Sequence, residues 1–377
     1  MKSDVWRQLL ALESVDLVSN WHRQISGRTL SLRRAHEITA SAKQAREYFR
    51  NASSADDTVR PLLTFYGVAS LARSALLVLK RDSGEESLTQ GHGLEASGWK
   101  NTLSGDHSEA LKNLGNLKVN TREGLFNDFV NGTGNRMCLH VNSSAVDGRL
   151  GYPVTPLGSS FTLEDLLVRF PDIARELAQA GVDSLTTSVN RFEIANNMMK
   201  IDVARPNFES FSTAYADSGC LVEWHSAAIA TIKYPWVGND SFQPQFAHAY
   251  INRVFSIPHL HIAKPFAGDL RLSQLAMTYL LGYYLGMLTR YFPTHWIALH
   301  RGTRGDALWP AIHAAQNYVE LAFPELIIEL LLDTVQQKRG RSEGESSQNS
   351  IEAADTLSEN RNATTSNIDK DALDQEL

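Results

Sequence analysis

The stretch VRPLLTFYGVASLARSALLVLKRDSG, residues 59–84, decides how the rest of the chain is read. Leu62, Phe65, Ala69, Ala72, Leu76 and Leu79 recur at helical spacing, which predicts one amphipathic helix. Pro61 suits a first turn, where a missing N–H costs little. Gly84, just past the basic end, has the position of a helix stop. Immediately upstream, TASAKQAREYFRNASS, 39–54, is rich in helix formers and sets Ala42, Ala45 and Phe49 on one face. The two segments are expected to pack as an antiparallel pair.

Outward from that pair, SDVWRQLLALES opens with a Ser/Asp cap and aligns Val5, Leu9 and Leu12, so residues 1–34 read as a helix and a short linker. Far downstream, LSQLAMTYLLGYYLGMLT, 272–289, runs uncharged from Arg271 to Arg290. Its length touches the lower limit for a bilayer span. Ser273, Gln274, Thr278, Thr289 and two glycines favour instead a helix buried on most sides. Then comes RYFPTHW, 290–296, and a further helical stretch over 308–338, which Pro324 should kink or split.

The middle of the chain changes character. Residues 88–160 are rich in Gly, Asn and Ser, and the short apolar runs LFNDFV (125–130) and RMCLHV (136–141) read as turns and strands. A helical interlude at 162–180 has capping-box spacing at Thr162 and Asp165 and a break at Phe170-Pro171. Within 197–235, MMKIDVARP, FSTAYA, CLVEWHSA and ATIKYP read as strands, with ADSGC (216–220) as a hairpin turn. The expected class is α+β, mainly helical. Helices of 1–87 and 266–338 form one bundle, and 88–265 is a strand-containing insert. Residues 339–377, polar and acidic, are expected to be a disordered tail.

Composition narrows the function. Hydrophobic residues at 43% supply a sizeable core. Cys138 and Cys220 are the only cysteines, too few for a disulfide framework and without a CxxC pair, which points to a reducing cytoplasm and away from structural zinc. The N-terminus carries Asp4, Arg7, Glu13 and Asp16 among its apolar residues, so no secretion signal is read there. Net charge is −6, and nine acidic against two basic residues after Arg341 leave the preceding part near neutral. That balance favours no particular partner. No P-loop, GxGxxG, GxSxG or HExxH motif occurs, so the common nucleotide hydrolases, dehydrogenases and zinc peptidases are not expected.

Four constellations remain. In RYFPTHW, Arg290 and His295 have the R-x4-H spacing of metal-independent helical ribonucleases, in which arginine holds a phosphate and histidine moves a proton. Tyr291, where a small or polar residue is usual, and Pro293 depart from that pattern. The competing reading is a helix end with Tyr291, Phe292 and Trp296 buried. In GHGL, 91–94, Gly91 and Gly93 flank His92, which suits a ligand-binding or catalytic histidine as well as a turn histidine. Arg60 and Arg73 lie on a mostly apolar helix, where a basic side chain either snorkels or reaches an internal anion. If Arg73, His92 and Arg290 converge, a phosphate pocket follows. In SIPHLHIAKP, 256–265, His259 and His261 would share one strand face, but only Asp269 is near as a third ligand, so no metal site is expected.

AREYFRNA (45–52), RPLLTFYGVASLARSALL (60–77), GHGL and MLTRYFPTHW (287–296) together resemble the YaaC-like bacterial protein family, whose members share a helix with a paired aromatic, an RPLL helix, an HGL loop and a late RY-x-P-x-x-W element. The resemblance spans roughly 35–335 by anchor points and leaves the extreme N-terminus and the tail outside. It implies a soluble bacterial protein and carries no settled activity. The expectation is a cytoplasmic, cofactor-free binding or accessory protein for a partner protein or a nucleotide-like anion, with no membrane span and with homodimerisation open. The alternative is an RNA-cutting enzyme of RNA turnover or phage defence. The residues in view are His92, Arg290 and His295 for chemistry, and Arg60, Arg73, Gly91 and Gly93 for binding.

Overall fold

A computed structural model of the chain describes residues 3–136, 151–236, 249–251 and 259–335. The fold is α+β and mainly helical, with helices at both ends of the sequence and strands between. Its longer helices are α1 (Val15–Ser26), α2 (Leu32–Ser54), α3 (Arg60–Leu79), α4 (Leu125–Gly132), α5 (Gln274–Tyr291), α6 (Pro293–His300) and α7 (309–335). Met1–Leu331 is one compact unit, and Leu332–Leu377 is a second of which only 332–335, helical, are described. The expected tail and RMCLHV from Met137 onward, with Cys138, lie outside the described residues.

α2 and α3 form the expected antiparallel pair. Ser74 donates to the Ile38 carbonyl, Ser70 to Gln44, and Tyr48 lies beside Tyr66, so positions climb one helix as they descend the other. Gly67 sets the spacing, because a Cβ there would sit 2.7 Å from the Phe49 ring. α3 is apolar on nearly all sides, with Phe65, Val68, Leu71, Ala72, Ala75 and Leu76 buried, and α5 packs on it as a second central helix. Each large side chain buried this way contributes about 1.5–3 kcal/mol. α3 is also the one helix among the described residues long and apolar enough to cross a membrane, and 72% of that window is buried inside the fold.

Two antiparallel sheets complete the unit. The first orders β1 (His92–Ser97), β2 (Lys118–Gly124) and β3 (Ser160–Thr162) as β1-β2-β3. Tyr283 and Tyr284 of α5 tie it to the helices by donating to the carbonyls of Leu94 and Phe161. The second contains β4 (Thr186–Ala195), β5 (Met198–Ala204), β6 (Leu221–Trp224), β7 (Ile229–Pro235), β8 (Ala249–Ile251) and β9 (Leu260–Ala263), in the order β6-β7-β5-β4-β9-β8.

Several local expectations change. LFNDFV is a helix, α4, because Leu125, Phe126, Phe129 and Val130 bury one helical face. FSTAYA is a short 3-10 turn and helix, and Phe208, Phe211 and Tyr215 cover the second sheet with it. The hairpins are therefore β4–β5, closed by Asn196 and Asn197 at φ 54° and 57°, and β6–β7. A pair of Asn residues tolerates the left-handed turn such a connection needs. The N-terminal stretch is broken: Ser14 caps α1 through its side chain and Gly27 ends it at φ 74°. α3 stops at Leu79, five residues before Gly84, with Lys80 extended. α7 is helical straight through Pro324, flanked by buried Tyr318, Val319, Phe323, Leu326 and Ile327, so burial on both sides outweighs the lost hydrogen bond. The Thr162–Asp165 capping box and the break at Pro171 form as expected.

Candidate functional site

Consecutive aromatics on α2 and α3 divide their work. A step of one residue turns a helix by about 100°, so two neighbours face different surroundings. Phe49 and Phe65 go into the core. Tyr48 and Tyr66 instead line a 530 Å³ cleft with Ala40, Ser41, Gln44, Ala69, Ser70, Arg73, Glu85, Gly91, His92 and Leu125. The small residues let the helices approach, and the polar ones floor the opening.

His92 enters this cleft at the start of β1. Gly91 at φ 86° and Gly93 at φ 75° make the backbone turn that presents it. At Gly93 a side chain would be strained and would also meet the Phe126 backbone N at 2.7 Å. The imidazole edge rests on Phe65, ring centres 5.0 Å apart, and near Tyr283 at 6.1 Å. Among the described residues neither ring nitrogen has a protein hydrogen-bond partner. Burial, and secondarily the Arg290 charge, holds its pKa below the usual histidine value, so the ring is neutral near pH 7.

Two arginines flank the histidine. Among the described residues Arg73 meets only Glu85, at 3.9 Å with both side chains about half exposed, a loose pair that leaves donors free. Arg290, in the last turn of α5, donates to Tyr66 Oη at 2.9 Å and lies over the Tyr291 ring at 5.0 Å. It has no carboxylate partner among the described residues. The fold thus brings together Arg73, Gly91 and His92 at the cleft, keeps Gly93 behind them against the backbone of Gly124 and Phe126, and sets Arg290 at the rim through Tyr66.

The other sequence candidates lie elsewhere. His295, across the break at Phe292, has Nε2 at 3.1 Å from the Leu103 carbonyl and its ring 5.0 Å from His107. Burial first, then His107, lowers its pKa. Arg290 and His295 therefore engage separate neighbours. Of the aromatics expected buried around them, Trp296 is, and donates to the Asp57 carbonyl, but Tyr291 is 58% exposed. Arg60 is bidentate to Glu320 at 2.7 Å through both nitrogens and also donates to Asn317, while Thr64 and Gln316 donate to the same carboxylate. This knot joins α3 to α7 and occupies the Arg60 guanidinium. His259 and His261 lie ring beside ring at 5.5 Å, and burial pushes His261 down to about 4. No group of three metal-ligating side chains occurs among the described residues.

Sequence reading passed over Tyr48, Tyr66, Gln44 and Glu85. The available signal was the doubled aromatic in both helices, of which only one member can take the core face.

No curated protein and no solved structure matches the chain. A family model described as YaaC-like protein matches residues 11–331, reaching nearer the N-terminus than the anchor motifs do. The match takes in α2, α3, β1 and α5, the elements that build the cleft, and the chain belongs to the YaaC-like protein family.

Proposed function

We propose that this is a cytoplasmic binding protein whose α2–α3–β1 cleft takes a phosphate-bearing, nucleotide-like small molecule. The observation that carries the reading is a histidine whose two ring nitrogens have no partner among the described residues, near two arginines with donors facing solvent and beside two tyrosines. Arg73 and Arg290 supply charge-assisted hydrogen bonds to phosphate oxygens. His92 gives a hydrogen bond from whichever nitrogen carries the proton. Tyr48 and Tyr66 offer faces for a planar ring. Glu85 opposes an anion and must turn away from Arg73 when one binds. Cleavage by Arg290 with His295 draws no support from side chains held by different neighbours.

Calorimetric titration with ADP, pyrophosphate and adenosine tests this. ADP binds most tightly, because it alone offers both phosphate and ring. Arg73→Ala or His92→Ala weakens ADP binding about tenfold, the loss of one charge-assisted contact. Glu85→Gln strengthens it. Absence of ADP binding at millimolar concentration, or folded variants that bind as wild type does, overturns the reading.

A further inference from the structure

The cleft does not end at its rim. Tyr48 and Tyr66 have ring centres 5.6 Å apart, Arg290 bonds the Tyr66 hydroxyl, and the same guanidinium lies over the ring of Tyr291. Tyr291 is 58% exposed although it closes a helix that is otherwise buried through Thr289. The chain turns at Phe292 and leaves the ring exposed with the guanidinium over it. The sequence tyrosine, tyrosine, arginine, tyrosine forms a continuous lane that starts inside the cleft beside His92 and Arg73 and runs outward past Arg290.

We infer that this lane holds the neighbouring bases and phosphates of a single-stranded polynucleotide whose terminal or flipped nucleotide sits in the cleft. The inference rests on the reading of the cleft given above and names its ligand class. Aromatic rings with an arginine set among them suit a single strand. Bases stack on rings without regard to sequence, and a guanidinium between them meets the phosphates. A free mononucleotide would use the cleft alone and gain nothing from Tyr291. A duplex would keep its bases stacked inside and find no use for exposed rings. The charges near the lane suit this limited contact. Among the described residues Arg290 has no carboxylate partner, and Glu95 on β1 is held by Arg122. Arg73, Arg290 and the lane they bracket would neutralise about two phosphates, so the salt dependence of binding should have a logarithmic slope of about −1.4.

The measurement is fluorescence anisotropy of the full chain with labelled ten-nucleotide oligouridylate and oligothymidylate, set beside calorimetry with ADP. The expected result is that a decamer binds at least about tenfold more tightly than ADP, with Tyr291→Ala reducing decamer affinity about tenfold and leaving ADP affinity within twofold. Tyr291→Phe, which keeps the ring, should bind the decamer as wild type does. Preference for the uridylate or for the thymidylate strand identifies RNA or DNA as the source. A decamer that binds no better than ADP, or that is indifferent to Tyr291→Ala, overturns the lane while leaving the small-molecule reading intact. Failure of ADP and decamer alike overturns both.

Discussion

At Arg60 the chain shows what a satisfied half-buried arginine looks like, and Arg73 and Arg290 can be judged against it. Glu320 grips Arg60 through two short bonds, and Asn317 takes another donor. The ion pair raises the guanidinium's pKa further, with Glu320 as the main cause. Removing one partner strands the other charge. Arg60→Ala should therefore lower the unfolding free energy by about 3 kcal/mol, read from urea titration, without changing ADP affinity. The histidines give a second residue-scale expectation. Burial lowers the pKa of His22, His92 and His261 from the ordinary histidine value of 6.5, the last to about 4. Their unfolded forms therefore take up protons that the folded forms refuse. The sign follows: stability conferred by these neutral rings is fully present above pH 6.5 and is lost as pH falls toward 4. Urea midpoints measured at pH 7.5, 6 and 5 should decline in that order, and His261→Gln should flatten the decline.

Among the elements, the α2–α3 pair matters most, since it supplies both core and cleft. Its closeness depends on Gly67 against Phe49, where even a methyl group would stand 2.7 Å from the ring. Gly67→Ala should cost about 1–3 kcal/mol by thermal denaturation and widen the cleft behind Tyr66, weakening ADP binding as well. This pair was legible from sequence because its apolar spacing is helical and its interior small residues are regular. Three elements were not legible. LFNDFV and FSTAYA are short apolar runs, in which six residues cannot separate a strand's period from a helix's, and tertiary cover for a sheet decides. Pro324 carried a local rule, a helix break, that burial of Phe323 and Leu326 on either side overrides. The candidate site was half legible: the flanking glycines drew attention to His92, and spacing drew attention to Arg290. The spacing of Arg290 and His295 did not tell where their side chains go, because Phe292 turns the chain between them and gives each its own neighbours.

For the whole molecule, the family match and the compact unit both end at residue 331, and residues 339–377 contain few large apolar side chains. A chain ending at residue 338 should accordingly melt with the full chain in differential scanning calorimetry and bind ADP equally well. A lower melting temperature would assign those residues a stabilising role. The central claim concerns one side chain, so the sharpest measurement observes it directly. The His92 ring resonances, assigned by their loss in His92→Gln, are followed by NMR across pH with and without ADP. Bound phosphate beside the imidazole should move those resonances and raise the His92 pKa, because the added negative charge favours the protonated ring. Resonances and titration unchanged under saturating ADP would contradict the account.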